Sequence, residues 1–258
     1  MSFCNVEKQD GVFELELNRP EAMNALSQNF LDEIMVELQR IKEDDSARVL
    51  IIKSASHKAF CAGADLKERR GMNEDQVRSA VSKIRATMNL ISDLPIPTIA
   101  AVRGVALGGG FEMALSCDLR VFSETATIGL TETRLAIIPG AGGTQRLSRL
   151  VGVAKAKDLI FTGRRITGEE AHRLGIAEYL ASDVEVHQKA KALAREISDG
   201  CPIAIRQAKW AIETGYPLSL AEGLAVEVTA YEKVIGTEDR LEGLQAFAEK
   251  RKPAYKGR

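Results

Sequence analysis

The sequence is poor in the residues that most often build metal centres and histidine- or cysteine-based active sites. Its 258 residues include four cysteines and three histidines, with no CxxC pair and no two histidines close together. Zinc sites need closely spaced ligands, and scattered cysteines usually pack as small apolar side chains in a reducing compartment. The sequence therefore predicts no metal site and thiols that stay reduced.

A charge excess and long apolar runs are also missing. Lys and Arg number 35 against 36 Asp and Glu, so the formal net charge is −1. A chain without a global positive field has no general attraction for nucleic acid or anionic membranes. No apolar stretch approaches the ~18 residues of a membrane span, and the N-terminal residues have no signal-peptide pattern. We expect a cytoplasmic protein that binds neither nucleic acid nor membrane.

Three common active-site motifs are incomplete or absent. Gly140–Gln145 begins like the dinucleotide-binding motif GxGxxG, but glutamine stands at the last glycine position. Gly104–Gly110 lacks the lysine of a phosphate-binding loop, and no GxSxG is present. These absences exclude the usual dinucleotide, P-loop and serine-hydrolase sites, so the chemistry must come from carboxylates and backbone groups.

Strand and helix patterns alternate through most of the chain, and only helical patterns follow. Period-2 alternation or short apolar runs predict strands at 13–17, 49–52, 98–102, 119–122 and 127–130. Apolar spacing of three and four predicts helices at 28–41, 74–94, 111–116, 143–150, 184–198, 202–214, 218–235 and 238–250. This order predicts an α/β core with a helical C-terminal extension.

Two glycine-rich segments can bring backbone amides to one point. Ala62–Asp65 has small side chains that allow a ligand close to the main chain. Gly108–Gly110 opens a predicted helix, where free amides and the helix dipole favour negative charge. Together the segments could form an oxyanion hole, and tight packing alone is the alternative.

Two glutamates lie next to apolar runs. Glu112 follows the glycine segment inside an apolar helix, and Glu132 precedes another apolar stretch. A buried carboxylate is costly without a partner or a task, and two near one water can act as base and acid. Ion pairs with Arg103, Arg134 or Arg146 are the alternative that the residues leave open.

The ordered motifs resemble the enoyl-CoA hydratase (crotonase) family. They are Phe60–Lys67, Gly104–Glu112, Glu132 and Ile138–Leu147, with further matches from Asn18–Pro20 to Phe247–Arg251. The resemblance covers nearly the whole chain. It implies a crotonase-like spiral of ββα turns over residues 1–198, which would hold the CoA-thioester site. It also implies a helical region over 199–258 that forms homotrimers or homohexamers.

The resemblance implies a reaction as well, one typical of fatty-acid β-oxidation. Water would add syn across the C2=C3 double bond of a trans-2-enoyl-CoA to give a 3-hydroxyacyl-CoA. The thioester oxygen would lie between the amides of Ala64 and Gly109. Glu112 matches the base that acts on water, and Glu132 matches the donor of the proton to the α-carbon. Coenzyme A is part of the substrate, so no separate cofactor is expected.

The family pattern also implies contacts with coenzyme A. Residues near the nucleotide and pantetheine would be Lys58, Ala62, Ala64, Asp65, Leu66, Lys67 and Gly109. Tyr231 and Lys250 match positions that reach the adenosine phosphate from the helical region, sometimes of a neighbouring subunit. Solvated surface lysines are the alternative for the three lysines. The acyl channel is expected near residues 71–75 and Met88.

Two other reactions and one binding role remain alternatives. Ala64–Arg69 and Glu132–Pro139 also resemble methylglutaconyl-CoA hydratases, for which Arg134 is the candidate group for the distal carboxylate. An enoyl-CoA isomerase would use Glu132 alone, and two glutamates favour hydration. Some methylglutaconyl-CoA hydratases bind RNA through lysines on the first long helix. Here residues 28–37 carry acids and no lysine, so RNA binding is not expected.

Overall fold

The computed structural model describes residues 2–258, and in this part of the chain ten strands form two sheets. The strands are β1 (Cys4–Gln9), β2 (Val12–Leu17), β3 (Val49–Ser54), β4 (Ala59–Cys61), β5 (Thr98–Val102), β6 (Val105–Leu107), β7 (Leu119–Ser123), β8 (Thr127–Gly129), β9 (Ile166–Thr167) and β10 (Tyr179–Ala181). The α-helices are α1 (Gln28–Glu43), α2 (Leu66–Arg69), α3 (Glu74–Ser92), α4 (Gly109–Ser116), α5 (Gly143–Val151), α6 (Val153–Thr162), α7 (Gly168–Arg173), α8 (Val186–Ser198), α9 (Pro202–Gly215), α10 (Leu220–Ile235) and α11 (Glu238–Glu249).

Successive strands from β3 to β8 alternate between the two sheets. The larger sheet has the order β1-β2-β3-β5-β7-β10, and the smaller has the order β4-β6-β8-β9. The pairs β3/β5, β5/β7, β4/β6 and β6/β8 are all parallel. Because α3 follows the first β-pair and α4 the second, the chain advances by one ββα turn at a time. This is the α/β core that the sequence patterns predict, in the spiral of ββα turns that the family resemblance implies.

Apolar side chains pack on both faces of the larger sheet. Helix α1 contributes fully buried residues at three- and four-residue spacing: Phe30, Leu31, Ile34, Leu38 and Ile41. Ser27 accepts a hydrogen bond from the amide of Phe30, so it caps this helix as its sequence position predicts. On the other face, α8 packs against residues of β3, β5 and β7 in a second buried cluster. Burial on both faces explains why β3 and β5 read as continuous apolar runs.

Several short elements were not visible in the sequence pattern. Strands β4 and β6 have three residues each, which is too short for a periodic signal. Strand β1 is an edge strand of polar composition that pairs antiparallel with β2. Helices α6 and α7 were also missed. The predicted strands and helices are present, with ends that differ by a few residues.

The last three helices bury few of their own side chains. Helices α9 and α10 lie against each other where Gly215 and Gly223 allow the backbones to approach. Lys209 joins α9 to the core through Asp118, at 2.8 Å. Large apolar side chains nevertheless stay exposed along α10, at 40–81%: Leu220, Leu224, Val228, Tyr231 and Ile235. The predicted boundary at 198/199 falls just after α8, and two separate domains stay a prediction.

Two further searches concern the described residues, 2–258. None of their helices is both long enough and apolar enough to cross a bilayer. Nowhere among them do three histidine, cysteine or acidic side chains converge in a way that could hold a metal ion. The cytoplasmic location stays a prediction.

Candidate active site

Three neighbouring strands of the smaller sheet deliver the candidate residues to one place. Strands β4, β6 and β8 are parallel, so their carboxyl ends lie at the same edge. Ala64 follows β4, Gly109 and Glu112 follow β6, and Glu132 follows β8. At this edge opens a cavity of about 1310 Å³, and all four residues line it. The structure therefore brings these four residues together in one cavity, and their catalytic roles stay a prediction.

The amide of Ala64 lies in a loop whose conformation requires glycine at the preceding position. The preceding Gly63 has φ +96°, and a Cβ there would lie 2.7 Å from the carbonyl oxygen of Leu107. Ala64 forms a bridge with Leu26, yet its own amide donates to no acceptor within residues 2–258. A free amide is thus presented at the cavity wall.

The second amide is that of Gly109, the first residue of α4. An amide at this position has no carbonyl partner within its own helix, and the helix dipole makes it a favourable site for negative charge. A Cβ at Gly109 would lie 3.7 Å from the nitrogen of Ala64, so the two backbone segments adjoin. A Cβ at Gly110 would lie 2.0 Å from the carbonyl oxygen of Cys61, which excludes larger residues there. The pair has the form of an oxyanion hole.

Glu112 is a buried carboxylate held from one side. Its Oε1 accepts hydrogen bonds from the amides of Ala141 and Gly143, each at 2.8 Å. Its Oε2 accepts none within the described residues, 2–258. Burial raises the pKa of Glu112, and the two amides and nearby Arg146 act in the opposite direction. The carboxylate is fixed in place while one oxygen is left for other use.

Glu132 begins a short 3₁₀ turn, Glu132–Leu135, and its side chain lies over Gly108. A Cβ at Gly108 would be 3.1 Å from Oε1, and Oε2 is buried without a hydrogen-bond partner in residues 2–258. Burial, and then the charge of Glu112, raise the pKa of Glu132 to about 7. At neutral pH this carboxyl group is therefore protonated for much of the time.

The ion pairs that were the alternative for these glutamates do not form. Within residues 2–258 neither Glu112 nor Glu132 has a basic side chain within salt-bridge distance. Arg146 instead donates to the carbonyl of Ala141 at 3.0 Å and to Asn89 at 3.0 Å. That alternative interpretation is wrong for this structure.

Some of the residues expected to contact coenzyme A line the cavity, and others do not. Ala62 and Leu66 line the cavity with Ala64 and Gly109. Lys58, Asp65, Lys67, Tyr231 and Lys250 are not part of its wall. Lys58 and Lys67 are exposed, and Tyr231 is 66% exposed on α10. Contacts of all these residues with coenzyme A stay a prediction.

Sequence reasoning missed most of the remaining cavity wall. Met88, expected near the acyl channel, is fully buried in the core. The residues of α3 that line the cavity are Val77, Val81 and Ile84, together with Arg85 and Asn89 on either side of Met88. Their four- and three-residue spacing is the signal that could have found them. Six arginines also line the cavity: Arg69, Arg85, Arg134, Arg146, Arg149 and Arg165. Only Arg134 and Arg146 were considered from the sequence.

The raised pKa of Glu132 predicts a pH-dependent stability. The pKa of Glu132 is about 7 in the folded state and has its ordinary value of 4.5 in the unfolded chain. The stabilisation that this proton gives to the folded state is therefore present below pH 4.5 and is lost as pH rises through about 7. Glu132→Gln stays uncharged, and we expect its free energy of unfolding relative to wild type to be about 1–3 kcal/mol higher at pH 8 than at pH 5. Denaturant unfolding measures this, with exposed Glu196→Gln as control. A difference in unfolding free energy between Glu132→Gln and wild type that is the same at both pH values would contradict the raised pKa of Glu132.

Comparison with known proteins identifies the family of the chain. The family model for enoyl-CoA hydratase/isomerase matches residues 7–258. A Bacillus subtilis (strain 168) protein, named as an enoyl-CoA hydratase/isomerase, is 52% identical over 97% of this chain and 96% of its own length. The mitochondrial methylglutaconyl-CoA hydratase of Rattus norvegicus is 48% identical over 97% of this chain and 81% of its own.

A solved structure shows the same fold. The enoyl-CoA hydratase of Bacillus anthracis superposes with a TM-score of 0.98 at 53% identity, covering 99% of this chain and 100% of that one. The crotonase fold implied by the sequence motifs is thereby confirmed. By family match, sequence identity and fold, the chain belongs to the enoyl-CoA hydratase/isomerase family.

Proposed function

We propose that the protein adds water across the C2=C3 double bond of a trans-2-enoyl-CoA to give a 3-hydroxyacyl-CoA. The observation that carries the proposal is the presence of two carboxyl groups, both without an ion pair in residues 2–258, in one cavity with two adjoining free amides. Hydration needs a base for water and a donor for C2, whereas double-bond isomerisation needs a single proton carrier. Two glutamates therefore favour hydration.

The amides of Ala64 and Gly109 would bind the thioester oxygen. When water attacks C3, electrons move through C2 and the carbonyl carbon, and negative charge develops on that oxygen. Donors that are already in place stabilise such charge without reorganisation, and removing one typically costs a factor of about 10²–10³ in kcat. The N-terminus of α4 adds its dipole to the same end of the site.

The two glutamates would divide the proton transfers. Glu112, with Oε1 held by two amides, would accept a proton from water through Oε2 as the hydroxide bonds to C3. Glu132, whose pKa is about 7, would donate its proton to C2. The proton on Glu112 then returns to Glu132, so the enzyme is restored and one water has been added. Their different surroundings give a base and an acid from identical side chains.

Removal of either carboxylate is expected to slow hydration strongly. Glu112→Gln and Glu132→Gln each lose a proton-transfer group, so we expect kcat for crotonyl-CoA to fall by about 10²–10⁴. Loss of the enoyl absorbance measures the rate. Glu196→Gln, on the exposed face of α8, is the matched control and is expected to keep full activity. A near-normal rate in either active-site variant would reject the role of that glutamate.

A second candidate substrate is a 2-enoyl-CoA with a carboxylate at the far end of its acyl group, such as methylglutaconyl-CoA. None of the six cavity arginines forms an ion pair within residues 2–258, and the side chains of Arg69, Arg134 and Arg165 also donate no hydrogen bond there. Arginine side chains without an acidic partner favour an anionic ligand. The distal carboxylate of the acyl group and the phosphates of coenzyme A are both suitable anions, and a substrate comparison separates them.

Arg134 is expected to act on the acyl carboxylate. A charge-assisted hydrogen bond is worth about 1.5–3 kcal/mol, so Arg134→Gln would lower kcat/KM for methylglutaconyl-CoA by about 10–100-fold and leave crotonyl-CoA unchanged. Steady-state assays of both substrates test this. Arg164→Gln is the control, because Arg164 is paired with Asp158 and Glu170 outside the cavity wall. An equal loss for both substrates would assign Arg134 to coenzyme A and contradict the expectation.

We also propose that α9–α11 form the interface of a homotrimer, or of a hexamer built from trimers. The exposed residues of α10 recur at spacings of four and three, so they form one apolar stripe. On α11, Leu241, Leu244 and Phe247 are 59–86% exposed. Contiguous apolar surface of this kind is uncommon on monomers and marks an interaction surface. Tyr231 lies in the stripe, where a neighbouring subunit would cover it.

Disrupting the stripe on α10 is expected to separate the subunits. The double variant Leu224→Glu/Val228→Glu places charge where apolar side chains would meet, and it is expected to sediment as the 28.1 kDa monomer. Analytical ultracentrifugation measures the mass, and Glu227→Gln on the same helix is the control. A wild-type protein that is itself monomeric would contradict the proposal.

A further inference from the structure

The loop between β2 and α1 lies along the loop that carries Ala64. The amide of Ala62 donates to the carbonyl of Met23 at 3.0 Å, and the amide of Leu26 donates to the carbonyl of Gly63 at 2.8 Å. The amide of Asp65 donates to the carbonyl of Leu26 at 3.2 Å. Backbone hydrogen bonds therefore hold the chain on both sides of Ala64 and leave the Ala64 amide free.

Arg19 joins these two loops from outside the cavity wall. Its Nη1 donates to Asp65 Oδ2 at 2.8 Å and to the carbonyl oxygen of Ala25 at 2.6 Å. The side chains of Arg19 and Asp65 are 18% and 11% exposed, so the ion pair is largely shielded from water. The Arg19 guanidinium thus holds Asp65, the residue after Ala64, and Ala25 in the neighbouring loop.

The same aspartate fixes the direction of the chain after Ala64. Asp65 Oδ1 accepts hydrogen bonds from the amides of Lys67 and Glu68, at 3.0 and 3.2 Å, and so caps α2. Its two oxygens therefore have separate partners, one in Arg19 and one at the helix start. The carboxylate of Asp65 is thus engaged in structural contacts, and a contact of this residue with coenzyme A stays a prediction.

The loop that carries Arg19 is itself held in a demanding conformation. Met23 and Asn24 both have left-handed backbone angles, with φ near 52° and 54°. Residues other than glycine keep such angles only when their surroundings determine them. Asn24 is fully buried, accepts from the amide of Arg19 at 2.7 Å and donates to the carbonyl of Phe60 at 2.9 Å. The loop is a rigid support rather than a loose connection.

We infer that Arg19 is a positioning residue for the reaction, which acts by holding Asp65 and Ala25 so that the Ala64 amide stays beside the Gly109 amide. The inference rests on the proposed function, in which these amides bind the thioester oxygen. Arg19 is absent from the cavity wall, so its replacement removes no side chain that a bound substrate would touch. Misplacing an oxyanion donor weakens transition-state binding more than substrate binding, so kcat falls while KM changes little.

The test compares Arg19→Lys with Arg120→Lys. Both contacts of Arg19 come from Nη1, whose two hydrogens have fixed directions in the planar guanidinium. The ammonium of lysine keeps the charge but carries rotatable donors on a flexible stem, so it does not hold the two acceptors in the same geometry. Arg120 is the matched control, because it binds Glu178 and the carbonyls of Cys117 and Ile176 and lies outside the cavity wall. The readouts are kcat and KM for crotonyl-CoA, the melting temperature, and the absorption of bound 4-(dimethylamino)cinnamoyl-CoA. That chromophore shifts to longer wavelength when its thioester oxygen is polarised.

We expect Arg19→Lys to lower kcat by about 10-fold or more, with KM within about threefold of wild type and a smaller spectral shift. Arg120→Lys is expected to lower the melting temperature and to keep the wild-type shift. Asp65→Asn keeps a capping oxygen, loses the ion pair and is expected to behave like Arg19→Lys; it carries the test if Arg19→Lys does not fold. Combining Arg19→Lys with Asp65→Asn is expected to lower kcat little more than either change alone.

The outcomes distinguish the inference from the proposed function. If wild type hydrates crotonyl-CoA and shifts the chromophore, and Arg19→Lys does the same, the positioning role is wrong and the proposed function stands. If the Arg19 and Arg120 variants lose stability alike with an unchanged shift, Arg19 is only structural. If wild type neither hydrates crotonyl-CoA nor shifts the chromophore, the proposed function and this inference both fail.

Discussion

The site depends on the close approach of two stretches of backbone, Cys61–Ala64 and Leu107–Gly110. Their contact leaves no room for side chains, since added Cβ atoms at Gly63 and Gly110 would lie 2.7 and 2.0 Å from carbonyl oxygens. The approach follows from the parallel pairing of β4 with β6, which ends both strands at one edge. With β8 beside them, the same edge also receives Glu132. The spiral topology therefore collects donors and acids from three separate turns.

Electrostatics give two like side chains different properties in this small space. Glu112 is buried, but the amides of Gly143, the first residue of α5, and of Ala141 just before this helix stabilise its carboxylate. Glu132 has no comparable partner among residues 2–258 and lies within the field of Glu112, so its pKa rises to about 7. Arginines around the cavity balance the acids without forming ion pairs with them, which leaves both carboxyl groups available to a substrate.

The sequence predicts the frame better than the details of the site. The apolar runs of β3 and β5 and the spacing in α1 are strong because each element is long enough to repeat its pattern. The glycine segments and the two glutamates were visible as candidates, and their roles came from the family resemblance. Strands β4 and β6, which bring the amides together, are too short to show a period. The position of Arg69 and Arg165 at the cavity and the pairing of Asp65 with Arg19 depend on contacts between distant segments, which local spacing does not report.

Hydrogen exchange at the α-carbon of a saturated thioester tests the central claim most directly, because it needs a polarised carbonyl and a carboxylate but no double bond. The measurement is an NMR time course of butyryl-CoA with the protein in D₂O. We predict that one α-hydrogen exchanges far faster than without protein, since the two amides stabilise the enolate and a glutamate carries the proton. An exchange rate equal to that of butyryl-CoA alone would contradict the joint action of the amides and the carboxyl pair.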